Sequence, residues 1–368
     1  MTDHATPKPP SAAEALASIE GQYAVHFGGR PRITRDLNRL AGMIQGAEQV
    51  AAAPTADAET KERAQQRAAF YAEERSEILR AREAGGPLAW DAAWLRDSLA
   101  VEQHRYRRHF AGRSRNTRDA FLLDDLLANT RALVAAYRAV LAKGHVEGAA
   151  DDLTSADEFA HMLDRERVAI EEAQAEGDAS QQAEALAQLA NDQFGAYGEH
   201  FAGHPRISRR PELLVRIIDA LAHIEARMVA LQQAGLTESF HTDNIGIVRE
   251  RLGVYRGELK AVRGAREGAS MADIAGHLGG AANAEISGWT EHFAGRDRRG
   301  RELGRLGGML DRLDEVERQM SAISRARQLD SNEGNLAIVR DWQTLMRNEF
   351  DAIDEAQREA LGGPLGSA

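Results

Sequence analysis

Cysteine is absent from the 368 residues, which excludes a disulfide scaffold, a Cys-ligated zinc or iron–sulfur site and any thiol nucleophile. Aromatic residues are scarce at 5%, so the core has to come from many small Leu, Ile, Val and Ala contacts along long helices. Only 9 prolines occur, and Pro7, Pro9 and Pro10 fall in the first ten residues. Lysine stands only at Lys8, Lys61, Lys143 and Lys260; arginine carries the rest of the positive charge. No apolar run approaches the ~20 residues that a membrane-spanning helix needs. Residues 1–10 have neither the basic patch nor the apolar stretch of a secretory signal. These absences lead to the expectation of a cytoplasmic protein with no membrane insertion. At a net charge of −11 the chain is a poor generic nucleic-acid binder, because neutralising phosphates dominates that affinity.

What is present favours helix. Ala, Leu, Arg, Glu and Gln are strong helix formers and dominate the composition, whereas β-branched residues are sparse. The fold class read from this is all-α. The Arg-over-Lys bias with abundant Ala also points to a GC-rich bacterial genome.

Self-comparison yields a motif that occurs four times. Its copies are Tyr23-x-x-His26-Phe27-Gly28-Gly29, Tyr106-x-x-His109-Phe110-Ala111-Gly112, Tyr197-x-x-His200-Phe201-Ala202-Gly203 and Trp289-x-x-His292-Phe293-Ala294-Gly295. Counting from each His, Arg recurs at +6 (Arg32, Arg115, Arg206, Arg298) and at +9 (Arg35, Arg118, Arg209, Arg301). Apolar residues recur at +14, +17 and +18, for example Leu214, Ile217 and Ile218, and these offsets trace one face of a helix. A later segment, Glu-x-x-x-(Ile/Val)-x-x-Ala, begins at Glu74, Glu166, Glu258 and Glu349. The length that would allow two or three average domains is thus about four times 92.

The reading is four tandem three-helix units spanning 13–87, 88–178, 179–268 and 269–361, with disordered tails at 1–12 and 362–368, forming a helical array or paired bundles. Glycine after each Phe is expected to supply the left-handed residue that ends the first helix. Thr34, Thr117 and Ser208 are expected to cap the second, with Gly300 a poorer cap in the last copy. Turns are expected at 53–57, 151–155, 237–244 and 330–335, ahead of each third helix.

The loop between the first two helices holds the candidate functional residues. An Arg just after a helix start sits at the positive end of the dipole, so a negative group must compensate. One candidate is structural: Glu74, Glu166, Glu258 or Glu349 pairs with these arginines. The other is an external phosphate, sulfate, carboxylate or polyanion held by the Arg forks and the helix-start amides. His26, His109, His200 and His292 fall in the last turn of a helix, where the dipole favours their protonated form, and are read as loop-stabilising rather than metal-ligating. No carboxylate pair suited to a di-iron bundle accompanies them. The arginine-rich runs at 105–108 and 325–327 read as solvated helix faces. Four copies of one polar set suit a structural requirement or multivalent binding better than one active site. The expected function is therefore a non-enzymatic interaction or scaffolding protein without catalytic residues, metal or cofactor, whose partner is another protein. The alternative is an anion-binding module using the Arg loops.

Overall fold

A computed structural model describes residues 11–27, 32–35, 37–326 and 329–360. Among them are eleven α-helices and no strand. In order they are α1 (Ala12–Phe27), α2 (Leu37–Ala52), α3 (Ala58–Phe110), α4 (Ala120–Lys143), α5 (Ala149–Ala175), α6 (Ala179–His200), α7 (Pro211–Gln233), α8 (Ser239–Glu267), α9 (Met271–His292), α10 (Leu303–Ala326) and α11 (Asp330–Ala360). A single 3₁₀ turn precedes each of α2, α4, α7 and α10: Arg32–Thr34, Arg115–Thr117, Arg206–Ser208 and Arg298–Gly300.

Local chemistry accounts for many of the boundaries. Asp57 caps α3 by accepting from the Thr60 amide, and Asp119 caps α4 by accepting from Phe121 and Leu122. Reciprocal capping boxes, Asp178 with Gln181 and Ser270 with Asp273, open α6 and α9. Gly112, Gly203 and Gly295 take φ of 74°, 77° and 73° just past α3, α6 and α9. Within α3 the helix breaks at Gly86, whose φ of 61° and ψ of −170° are open only to glycine, and Pro87 follows without an amide to donate. Two rods of different direction therefore share one helical stretch.

Several expected boundaries shift. Thr117 and Ser208 are not caps of α4 and α7 but the last residues of the 3₁₀ turns, their hydroxyls donating back to the Ser114 and Pro205 carbonyls at 3.0 and 2.9 Å. Gly300 likewise closes the last 3₁₀ turn. Residues 151–155 and 330–335 are not turns but the first turns of α5 and α11, and α8 already begins at Ser239. Asp151 and Asp152 suit the positive end of a dipole as well as they suit a turn. At the start of α11, Asn332 is fully buried and donates to the Met320 carbonyl at 2.9 Å, tying α11 to the end of α10. Gly28, Gly29, Thr34's side chain and most of the two expected tails lie outside the described residues.

Packing follows the apolar offsets. Phe27, Phe110, Phe201 and Phe293 are each 1% exposed, and Leu40, Leu123, Leu214 and Leu306 are wholly buried. Each Phe–Leu pair belongs to a separate apolar cluster completed by the following long helix, through Ile78, Ile170, Val262 or Ile353. Burying one such side chain favours folding by about 1.5–3 kcal/mol. Accordingly α2 packs on α3, α4 on α5, α7 on α8 and α10 on α11. The groups join where α6 and α9 lie on the second and third 3₁₀ turns, where α1 meets α11, and where α10 meets both α3 and α6.

Candidate functional site

The eight repeated arginines and four glutamates come together as four ion-pair clusters. Arg32 reaches both oxygens of Glu74 at 3.2 Å through Nε and Nη2. Arg115 does the same to Glu166 at 3.1 and 3.0 Å, Arg206 to Glu258 at 3.0 Å twice, and Arg298 to Glu349 at 2.9 and 3.0 Å. This is the bidentate fork that guanidinium geometry favours. Arg35, Arg118, Arg209 and Arg301 each donate a further bond to the same carboxylate. Arg118, Arg209 and Arg301 also chelate the carbonyl five residues earlier, at Arg113, His204 and Arg296. The +6 guanidinium stays about half exposed, the +9 one is largely covered, and the carboxylate is buried.

A further repeated residue escaped the sequence comparison. Eight positions after each glutamate stand Arg82, Gln174, Arg266 and Gln357, each donating at 2.8 Å to the carbonyl of the +9 arginine. Arg and Gln alternate there, so residue identity hides the equivalence; the constant offset was the available signal. The carboxylate thus supplies the anion that the helix start demands, and the +8 side chain fixes the turn's backbone.

The four histidines diverge. His26 Nδ1 lies 3.1 Å from Asp341, which also takes Arg39 Nε at 2.6 Å. His109 Nε2 lies 3.0 Å from Asp311. His200 departs from the expectation of a protonated residue: burial pushes its imidazole down to about 3, so it is neutral. His292 is half-buried at the end of α9.

A further polar assembly, around α10, was not anticipated. Residues 105–108 are solvated on one side only: Arg107 is 61% exposed, but Arg105 is 7% exposed and the Arg108 side chain 4%. The other arginine-rich run, 325–327, lies largely outside the described residues. Arg108 Nη2 contacts Asp311 at 2.7 Å and Asp314 at 2.9 Å, and Arg105 contacts Asp125 at 3.1 Å. From α10, Arg318 returns to Glu102 at 3.2 Å, Glu315 lies 3.0 Å from Arg210 as an ion pair, and Arg312 bridges Glu285 at 2.7 Å and Glu199 at 3.3 Å. One side of α10 is thus apolar (Leu306, Leu310, Leu313) and another charged, and both are covered. Burial alone would raise the Asp311 carboxyl, but His109 and Arg108 hold it well below the usual range. Glu199 moves the opposite way, raised by burial and by the Asp311 charge.

No known protein family, curated protein or solved structure matches the chain. Function has therefore to be sought in the geometry, and two concavities are relevant. One, of about 240 Å³, lies among α3, α4, α6, α7 and α10, between His109, His200, Glu199, Arg216 and Asp311. The other, of about 620 Å³, is an open groove between α1 and the last 3₁₀ turn, and it brings His26, Arg298, Arg301 and Glu349 beside Trp289 and Trp342. Those two indoles meet edge to face at 5.5 Å. Among the described residues no group of three His, Asp or Glu side chains is arranged to hold a metal ion, and no helix is long and apolar enough to cross a membrane.

Proposed function

We propose that the chain is a cytoplasmic, non-enzymatic interaction protein of four tandem three-helix units, 13–87, 88–178, 179–268 and 269–361. The repeated Arg and Glu residues then serve as internal staples, one per unit, which agrees with every carboxylate being engaged by its own two arginines. The observation that carries the interaction reading is where large apolar side chains remain exposed. Phe70 and Leu79 on α3, Val168 on α5, Phe240, Ile247 and Val254 on α8, and Ile338 on α11 all belong to the third helices, Met271 being the exception. Phe240, Ile247 and Val254 recur every seven residues and so form one stripe along α8. A partner helix laid along that stripe would bury it as in other helix-in-groove recognition. Affinity capture with the wild-type chain and with a Phe240→Lys/Ile247→Glu/Val254→Lys variant tests this. A partner retained by the first and lost by the second is expected; identical retained sets would dismiss the surface.

The anion-binding reading finds its support in the groove beside Arg298, where a half-exposed fork faces two indoles. Titrating inorganic phosphate or polyphosphate while following tryptophan fluorescence, with Arg298→Gln as the comparison, separates it from a purely structural staple.

A further inference from the structure

The third helices differ in how much of them the fold covers. α11 packs on α1, α9 and α10, whereas α8 packs chiefly on α7, on α6 and on the 3₁₀ turn at Arg206–Ser208, which leaves one side open. Three features coincide on that side. The first is the stripe of Phe240, Ile247 and Val254, which are 41%, 47% and 51% exposed. Beside it run Gly246, Gly253, Gly257 and Gly264, and no neighbouring atom would lie within 4 Å of a Cβ on any of them. Glycine weakens a helix, and nothing within the chain approaches closely enough to require it here. The third feature is a polarised charge. Asp243 and Glu250 stand in the first half of α8, and Arg256, Lys260 and Arg263 in the second. All five are exposed, and none enters an ion pair among the described residues. The helix dipole favours that order only within the first and last turns, and Glu250 and Arg256 lie mid-helix.

Taking the α8 stripe as the interaction surface described above, we propose that its occupant is α8 of a second copy of this chain. The two helices lie antiparallel about a two-fold axis near residue 252. Antiparallel packing sets the acidic half of each helix against the basic half of the other, whereas a parallel pair would set like charge against like. The same axis places Phe240 and Ile247 of one copy opposite Gly264 and Gly257 of the other, so that bulk meets space. Self-complementarity of this kind is what an isologous interface requires. A 29-residue helix is about 44 Å long and about 10 Å wide, so the pair covers about 900 Å² in total. That is the size of a weak, reversible complex rather than of a permanent dimer.

Sedimentation velocity of the full chain from about 1 to about 500 μM should show reversible dimerisation with a micromolar dissociation constant. Asp243→Lys/Glu250→Lys makes the face basic throughout, and Arg256→Glu/Lys260→Glu/Arg263→Glu makes it acidic throughout. Each variant alone should self-associate about tenfold more weakly or worse, and mixing the two should restore a dimer. Because the chain lacks cysteine, single introduced thiols report the geometry independently of those charges. Gly253→Cys, beside the axis, should oxidise to a covalent dimer, whereas Gly264→Cys, about 36 Å from its mate, should not. A wild-type chain that stays monomeric, charge variants that associate like wild type, a mixture that stays monomeric, or crosslinking that does not distinguish the two thiols would each overturn the pairing. Monomeric wild type together with a partner lost by the Phe240→Lys/Ile247→Glu/Val254→Lys variant in affinity capture dismisses the second copy alone. Monomeric wild type with no partner lost dismisses the α8 surface as well.

Discussion

Replacing Glu349 by Gln keeps the side chain's shape and removes the anion shared by Arg298 and Arg301. The Glu349 side chain is 5% exposed, Arg301 11% and Arg298 49%. Arg298 regains water on losing its partner, so its share of the cost is about 1 kcal/mol or less. Arg301 cannot, and an uncompensated buried charge costs about 3–5 kcal/mol. Because Arg301 keeps its bonds to the Arg296 carbonyl, the lower end of that range, about 3 kcal/mol, is expected. Urea unfolding measures this directly. Thermal melting adds a second reading, because the shift depends on how much chain unfolds together. At about 2.1 cal/mol/K per residue, 3 kcal/mol lowers the midpoint by about 4 °C if all 368 residues melt in concert, and by about 15 °C if a stretch of about 92 melts alone. Arg63→Ala is the control: the arginine is 58% exposed and screened by water, and no measurable shift of the urea midpoint is expected. If Glu349→Gln stayed within about 0.5 kcal/mol of wild type, the staple would contribute nothing and the reasoning would fail.

Further outcomes follow from the same contacts. Arg108→Met strands Asp311 and Asp314 in the interior and should destabilise by about 3–5 kcal/mol in urea, whereas Arg107→Met, on the exposed side of the same turn, should not. Gly86→Ala places a Cβ at φ 61°, ψ −170° and should cost about 1–3 kcal/mol. Acid should weaken the fold in two stages. His200, depressed by burial from 6.5 to about 3, binds its proton more readily unfolded, so stability falls as pH drops below about 6.5. Glu258 lies below its ordinary 4.5 through the Arg206 hydrogen bond and the charges of Arg206 and Arg209; Glu166 does so because Arg115 and Arg118 outweigh its burial. Their contribution is present above pH about 4.5 and is lost as pH falls through the depressed folded values. Urea midpoints should therefore decline from pH 6.5 and steepen below 4.5; His104 and His223 are also depressed by burial and share the first decline, so His200→Gln should reduce it and leave the second unchanged.

The apolar offsets were legible because a helix face is a local property: Leu40, Leu123, Leu214 and Leu306 are spaced from their histidines by the chain itself. The Arg–Glu clusters were legible for a different reason, since the same residues recur at the same offsets four times. Neither source of information reaches α10. Asp311, Glu315 and Arg318 step along a helix as surface charges do, and the sequence near them does not disclose that Arg108, Arg210 and Glu102 cover them from far away in the chain. For the same reason Arg105 and Arg108 read as solvated. The pattern of a charged face is identical whether water or opposite charge lies against it, and only the fold distinguishes the two.

The chain order of several of those long-range pairs bears on how the protein is made, although in the Arg318–Glu102 and Arg312–Glu199 pairs the acid comes first. His26, Arg39, Arg108 and Arg210 all precede the acids that meet them, Asp341, Asp311, Asp314 and Glu315. A ribosome adding about 5–20 residues per second exposes the first three quarters of the chain for about 5–20 s before the last quarter is complete. During that interval these cations lack the interior acids that meet them in the finished fold. The final stretch of synthesis thus acts as the keystone. Chains that end near residue 268 would retain helices and local clusters but would leave charged seams open to whatever else the cell offers.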